Sequence, residues 1–387
     1  MQLPHQQHLN LVKQSKARLS LSQFSETLLN FVRNGGRRPP PRNLDRHFSR
    51  LPPKSVGKCR CLAKLWRKLL STPRFIKSHL TRKTHQENLI LITPSHSVHS
   101  ISTIKDDAIS RKLELPGDWT EVVGSCDGLV LLVNEDYDKF LVNPITLQQI
   151  TVPNSPLALN RRESFTMHGF GYDSSSDDYK VVTLSYYDTD NEYEPDCVDT
   201  FVDVYSVKMG VWKRIDSSPY DHAVPELSPG AFVNGAIHWL ASSREPGYPS
   251  VIAAFNLANE VFDEIPAPSG VDVQNFVFNK LVVLGGCLCM IDTRGNGPTD
   301  VWIMKEHGLV DSWTKFSIHG DHEWDIVKPL CLIGDEEVVL VTEGETLVVY
   351  NRTEGTLRDM VVDGALAVAI DGGTFMESLV SPAFISA

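Results

Sequence analysis

Apolar positions recur with a helical period up to about residue 85 and with a strand period beyond it. Residues 1–20 are polar and basic without periodicity and predict a disordered leader. Phe24, Leu28, Leu29 and Val32 predict one short helix over 22–33, which Gly35-Gly36 ends. The run Arg37-Arg38-Pro39-Pro40-Pro41-Arg42 excludes a helix, because consecutive prolines remove N–H donors and clash with the preceding turn. Cys59, Leu62, Trp66 and Leu69 then follow i, i+3, i+7 and i+10 spacing, with Leu65 and Leu70 widening the stripe. Arg60, Lys64, Arg67 and Lys68 take the other face, so the pattern predicts an amphipathic helix over about 55–70. Ser71-Thr72-Pro73 reads as a cap with proline at the first helical position of a second helix, 73–80. Two helices this short cannot bury both faces alone and need the body or a partner.

Beyond residue 85 one unit repeats: a β-rich run, a polar turn, another β-rich run. Phe140, Tyr205, Phe255, Trp302 and Tyr350 lead these runs at gaps of 65, 50, 47 and 48 residues. A second hairpin precedes most of them, at Asp127-Gly128, Asn234-Gly235, Gly285-Gly286 and Glu343-Gly344. Asn-Gly and Asp-Gly supply the φ > 0 residues that tight hairpins need. Two hairpins per unit make a four-stranded sheet, and a period of ~40–50 residues predicts a β-propeller of the kelch-like kind. A large β-sandwich also shows regular strands, but the aromatic period favours the propeller. Five units are clear. Strand-like runs in 89–118 and 362–381, among them Glu377-Ser378-Leu379-Val380, predict a sixth blade shared by both ends of the domain. The stretch 173–203 holds ten acids against Lys180 alone and predicts a long solvated loop.

Composition sharpens the division. The chain has 387 residues, of which 42% are hydrophobic and 22% charged, and its formal net charge is −11. Residues 1–85 carry 19 Lys+Arg and only Glu26 and Asp45, a net of +17, while 86–387 carry −28. Such asymmetry marks a boundary near residue 85. A basic head suits nucleic acid, an anionic membrane, an acidic protein or simply a solvated helical surface. It has few exposed aromatics for base stacking, which argues against nucleic acid. No apolar run approaches ~18 residues, so no membrane span is expected. No apolar leader precedes a small-residue cleavage site. Seven cysteines without a Cys-x-x-Cys pair predict reduced thiols and a cytosolic or nuclear protein.

The segments Leu51-Pro52-Pro53-Lys54-Ser55-Val56, Lys58–Leu70 and Thr72–Leu80 resemble the second half of a plant F-box. Its acidic first helix is not matched, since Asn43–Arg50 keeps only Leu44 and Phe48 of that pattern. Gly124-Ser125-Cys126-Asp127-Gly128-Leu129, Gly169-Phe170-Gly171-Tyr172-Asp173, Phe232–Leu240 and Asp300–Met304 with Ser312-Trp313-Thr314-Lys315 resemble successive motifs of the plant F-box-associated, kelch-like domain. The resemblance divides the chain into a leader (1–36), a partly degenerate helical F-box (43–82) and a mostly-β propeller of about six blades (88–382). It implies a substrate-receptor subunit that joins a Skp-type adaptor and cullin ligase to an unknown protein client. Leu51, Pro52, Cys59, Leu62, Leu65, Trp66 and Leu69 are then divided between adaptor contact and the module's own core. Two alternatives stay open: a degenerate receptor that binds a client without recruiting a ligase, and a basic-headed nucleic-acid binder. Trp119, Tyr186, Tyr187 and Tyr220 are loop-like aromatics that suit client anchors.

No catalytic, metal or cofactor motif is complete, so a non-enzymatic protein without cofactor is expected. Cys287-x-Cys289 lies in a strand-like run without a second ligand pair and reads as packing. His96/His99 and His319/His322 read as solvated pairs. Asp188-Thr189-Asp190-Asn191-Glu192 opens like a calcium loop, but Tyr193 stands where glycine is needed and Asp199 where a bidentate Glu is needed. Arg161-Arg162-Glu163-Ser164 resembles a basophilic kinase site on a loop.

Overall fold

The computed structural model describes residues 48–62, 64–81, 87–102, 108–160, 164–187, 200–222, 228–271, 279–292, 298–319, 326–342, 344–363 and 365–384. The leader, its expected helix at 22–33 and the calcium-loop-like run 188–199 lie outside them. The chain divides into two compact units at Thr84/His85.

The first unit holds three helices: α1 Pro53–Leu62, α2 Lys64–Leu70 and α3 Pro73–Leu80. The helix expected over 55–70 is therefore two helices. Both the Arg60 Nε and Nη2 donate to the Leu70 carbonyl, at 3.2 and 2.6 Å. On one straight helix these residues would stand about 15 Å apart along the axis. The bend brings a cation onto the last carbonyl of α2, where it satisfies an orphan acceptor. Helix α1 begins two residues early because Pro53 is tolerated in the first turn. At α3 the Thr72 Oγ1 accepts the Phe75 N–H at 3.3 Å, as the cap pattern predicts. Phe48 meets Trp66 edge-on at 5.1 Å. Together with Ser49, Pro53, Val56, Cys59, Leu70, Phe75 and His79, they are the buried residues among those described in this unit.

The second unit is all β. Its strands in chain order are β1 Glu87–Ile92, β2 Val98–Ser102, β3 Ile109–Lys112, β4 Glu121–Cys126, β5 Leu129–Val133, β6 Lys139–Val142, β7 Gln149–Val152, β8 Ser164–Asp173, β9 Asp178–Tyr187, β10 Phe201–Ser206, β11 Val211–Arg214, β12 Ala231–Val233, β13 Ala236–Ser242, β14 Ser250–Asn256, β15 Val261–Ile265, β16 Lys280–Leu284, β17 Cys287–Asp292, β18 Thr299–Met304, β19 Trp313–Ile318, β20 Ile326–Ile333, β21 Glu337–Thr342, β22 Leu347–Asn351, β23 Thr356–Asp359, β24 Val361–Val362, β25 Ala365–Leu366 and β26 Asp371–Met376. Six four-stranded antiparallel sheets form among the described residues. Five are consecutive, from β4–β7 to β20–β23, and the sixth has the order β26-β1-β2-β3. The first strand of each sheet contacts its counterparts in neighbouring sheets, so β4, β8, β12, β16, β20 and β26 ring the axis. This is the expected six-bladed propeller, with its last blade built from both ends.

Middle strands are sandwiched between neighbouring blades and read as unbroken apolar runs, such as Leu129–Val133 and Ala236–Ser242. Outer strands are mostly exposed. At the axis the strands come close enough to need glycine. The Gly230 N–H donates to the His168 carbonyl at 2.8 Å. A Cβ on Gly230 would stand 2.3 Å from Ile237 and 2.5 Å from the Trp239 ring.

One turn recurs between third and fourth strands. Its first residue is Asn143, Asn256 or Asn351, whose Oδ1 accepts backbone N–H groups two and three residues on. The N–H four residues on donates to the carbonyl of that same asparagine at 2.8–2.9 Å. Ser206 opens the fourth copy. Tyr205, Phe255 and Tyr350 immediately precede this residue, whereas Phe140 lies two places earlier than the others.

Three further expectations are corrected. The closing strand is Asp371–Met376, not 377–380; the residues after it pin it instead. The buried Asn143 Nδ2 donates to the Ser378 carbonyl at 3.2 Å and to the Val380 carbonyl at 2.8 Å. The first hairpin of the fifth sheet turns at Gly334 (φ 63°), and residues 343–346 instead join its second and third strands, with Glu345 at φ 57°. The two flanks of 173–203 are mostly strand rather than loop, while 188–199, with six of the ten acids, lie outside the described residues. Asp173 is buried; although burial opposes ionisation, the Ser175 and Ser176 hydroxyls and Lys180 (3.0 Å) hold its carboxyl below the usual range. Lys180 also reaches Glu260 of the next blade at 3.2 Å. Asp203 accepts from the Nε and Nη2 of Arg214 at 2.8 and 3.1 Å. These acids ended strands and tied blades, which a count of carboxylates does not reveal.

Asn143 and Asn351 cap the same kind of turn, but only Asn143 also holds the closing segment. Asn351→Ala should cost about 1 kcal/mol, as for a lost cap. Asn143→Ala should cost about 2–4 kcal/mol, because it strands buried donors and acceptors together. Denaturant unfolding compares the two, and equal losses would count against the pinning role.

Candidate interaction surfaces

The structure separates the seven residues selected in the head. Cys59 and Trp66 are buried in the unit's own core. Leu62 and Leu65 are 53% and 46% exposed. Leu51 and Leu69 are half-buried and Pro52 is exposed. Leu62 ends α1, Leu65 and Leu69 stand i, i+4 on α2, and Lys58, Lys64, Arg67 and Lys68 around them are exposed. Apolar side chains left open beside basic ones fit an amphipathic partner surface carrying acids.

In the propeller, strand direction sorts the connections onto two faces. First-to-second and third-to-fourth strand turns share one face and are mostly short, as at Asp127-Gly128, Asn234-Gly235 and Gly285-Gly286, where both central residues have φ > 0. The other face receives the longer connections, including 153–163, 188–200, 215–230 and 266–279. Of the four aromatics expected as anchors, Trp119 is buried and stacked on Phe140 at 5.2 Å. Tyr186 is buried on β9 and Tyr220 is half-buried near Phe262. Tyr187 alone of the four is exposed, at 47%, and Phe165 on the adjacent strand, which the sequence reading missed, is exposed with it. Both end or begin long strands on the long-loop face.

A cavity of about 120 Å³ runs between the first strands. Lys328 lines it, and Glu121 and Asp371, the first residues of β4 and β26, adjoin the lining residues Val122 and Gly372 at the end nearer the long-loop face. Lys328 Nζ meets Asp371 Oδ1 at 2.8 Å, and the Val122 N–H donates to Asp371 Oδ2 at 2.7 Å. Burial, then the charge of Asp371, pushes the Glu121 carboxyl up to about 7, with Lys328 opposing. Across the mouth, a small pocket lined by Asn279 and Trp239 shares Pro229 and Leu281 with the cavity. The Asn279 Nδ2 and Oδ1 and the Trp239 Nε1 are buried without a hydrogen-bond partner.

A second polar device joins the third and fourth blades. His238 Nδ1 lies 2.9 Å from the Ala231 carbonyl, so it carries the proton and Nε2 accepts. His307 Nε2 donates to it at 2.9 Å, and Asn234 Nδ2 donates to His307 Nδ1 at 3.3 Å. Burial holds both rings below the usual histidine range, which keeps this neutral chain intact.

Among the described residues no group of three or more metal-binding side chains occurs. Cys289 packs in the core, as read from sequence, with burial pushing its thiol up to about 12. His99 is half-buried and meets Ser110 Oγ at 2.9 Å, and His96 Nδ1 meets the Trp119 carbonyl at 3.3 Å, so that pair is not simply solvated. Ser164 opens β8, is buried and donates to the Asn160 carbonyl at 2.8 Å, which removes it as an accessible kinase site.

A closed six-bladed propeller that follows, in the sequence, a small helical unit with an open leucine face defines an interaction scaffold. The sequence profile described as the F-box associated beta propeller domain matches residues 80–371, and the chain belongs to that family. The match ends on the first residue of β26, so most of the closing strand lies beyond it. The F-box protein CPR1 of Arabidopsis thaliana is 34% identical over 328 residues, covering 78% of this chain and 79% of that protein. The F-box/kelch-repeat protein At3g23880 of the same plant is 31% identical over 353 residues, covering 86% and 93%.

The raised Glu121 pKa has a signed consequence. Below about pH 4.5 the carboxyl is protonated in both folded and unfolded chains and contributes nothing. Between about 4.5 and about 7 the unfolded chain ionises first, so the group comes to destabilise the fold, fully so above pH 7. Glu121→Gln should therefore raise Tm by a few degrees at pH 8 and leave it unchanged near pH 4. Thermal unfolding at the two pH values checks this; a gain of equal size at both would reject it.

Proposed function

We propose that this chain is a substrate-receptor subunit of an SCF-type cullin ubiquitin ligase. The helical unit docks on the Skp adaptor through Leu62, Leu65 and Leu69, with Leu51 and Pro52 at the edge. Cys59 and Trp66 support that face from within. The propeller holds a protein client on its long-loop face and performs no chemistry itself. The observation that carries the reading is the pair of leucines left open on a unit whose core is filled by other residues. Membership of the F-box-associated family, and relatives named as F-box proteins, support it. Such a subunit works in the cytosol or the nucleus. Rigid sheets with function concentrated in loops suit a receptor, because the blades fix where the loops are presented.

The test is capture of the full chain by purified Skp adaptor. Leu62→Asp with Leu65→Asp should weaken capture at least tenfold, about 1.4 kcal/mol, with circular dichroism unchanged. Trp66→Asp should instead lose helical signal, since it buries an unpaired charge. No capture of the wild-type chain at tens of micromolar would overturn ligase recruitment. The departure of residues 43–50 from the F-box pattern would then account for a receptor that holds its client alone.

A further inference from the structure

We propose that the helical unit binds an anionic lipid surface, with Leu62 and Leu65 set into the apolar edge of the bilayer and Lys58, Lys64, Arg67 and Lys68 on its headgroup phosphates. The lipid contact does not rest on the ligase reading, although adaptor and lipid would use the same leucines and so exclude one another.

Charge selects a surface of one sign. Residues 46–86 hold twelve Lys+Arg and no acid. Arg50, Lys58, Lys64, Arg67, Lys68 and Arg74 are exposed and have no ion-pair partner among the described residues. Clusters of about four to eight cations on amphipathic helices are the pattern that anionic headgroups attract. Register between two proteins is set by charges of both signs. A surface of spread, mobile negative charge needs no register, and a unit with cations alone suits it in full.

The leucines select lipid over nucleic acid. A duplex backbone would pair the lysines and leave Leu62 and Leu65, 53% and 46% exposed, in water. A single strand needs aromatic platforms, and Phe48, Trp66 and Phe75 are all buried. A bilayer surface accepts both kinds of side chain at once. Apolar groups enter the acyl boundary, while Lys and Arg reach back to the phosphates along their aliphatic stems. Each open leucine has a cation within one turn of its own helix: Lys58 stands four residues before Leu62, and Lys68 three after Leu65. Insertion asks no rearrangement of the unit, because Cys59 and Trp66 fill its core without these leucines.

The experiment sediments the full chain with phosphatidylcholine vesicles, with and without phosphatidylserine. The anionic vesicles should retain at least ten times more chain than the neutral ones. Raising salt from about 0.1 M to about 1 M, which shortens the Debye length from about 10 Å to about 3 Å, should release most of it. Leu62→Ser with Leu65→Ser should lower retention on anionic vesicles at least fivefold and leave retention on a heparin column unchanged, since every cation remains. Lys64→Gln with Lys68→Gln should lower both. All four side chains are exposed, so Tm should not move. Equal retention on neutral vesicles would reduce the contact to apolar adhesion, and no retention on anionic ones would remove it; either overturns the proposal. So does retention that survives the leucine change, which would assign the binding to diffuse cation exchange, residues 1–36 included. No adaptor enters the assay, so its outcome and that of adaptor capture are read separately.

Discussion

The pairing of β26 with β1 is the contact on which the rest of the propeller depends. Each blade packs both faces against neighbours, so no blade is stable with a missing member of its inner ring. The closing blade takes its axial strand from one end of the domain and its three outer strands from the other. Its register runs from Glu87↔Met376 to Ile92↔Asp371. Without β26 the ring would open beside β4, exposing the edges of β1 and β4 and the apolar sides that Val122, Ile90 and Phe375 now share. Asp371 and Ser125 reinforce the same seam, the first through the Val122 N–H and the second through the Thr374 carbonyl. Ser378 and Val380, just after the strand, are therefore structural, held by Asn143.

Closure also decides where variation is tolerated. Short turns on one face use left-handed residues and asparagine side chains to satisfy their backbone, and they leave little room for change. Connections on the other face can lengthen at small cost, since loop-closure entropy grows only with the logarithm of length. The exposed Phe165 and Tyr187, and the charged channel mouth, lie on this permissive face. The scaffold thus fixes the position of the chemistry while leaving its identity to a few side chains.

Much of the fold was legible because propeller blades impose a period. The third strands carried an aromatic at near-constant spacing, and Asn-Gly and Asp-Gly marked real hairpins. Legibility failed where one residue type serves two purposes. The acids of 173–203 looked like a solvated loop, yet Asp173, Asp178 and Asp203 are buried and cap or pair with neighbours. In the head, period alone placed Cys59 and Leu62 on one stripe; only the bend marked by Arg60 and Leu70 shows which side is filled. The channel mouth had no sequence signal at all. Glu121 lies more than 200 residues from Lys328 and Asp371 in the chain, and the three meet only because each stands at or near the start of an axial strand.

Two buried asparagines make the distinction between architecture and function concrete. Asn143 is fully buried and uses both ends of its amide, accepting from its own turn and donating to the closing segment. It holds the molecule together, and nothing about it asks for a ligand. Asn279 is buried almost as deeply and uses neither end. Folding gains nothing from an amide kept in that state, since a leucine of similar volume would avoid the desolvation cost. The void beside Asn279 is about 10 Å³, room for one bridging water and for no larger group, so its burial is a cost to the fold and not a mark of binding. Leu62 and Leu65 differ, because they are apolar and open where Cys59 and Trp66 beside them are buried. In the helical unit the residues that fit the fold worst are the ones that point to binding.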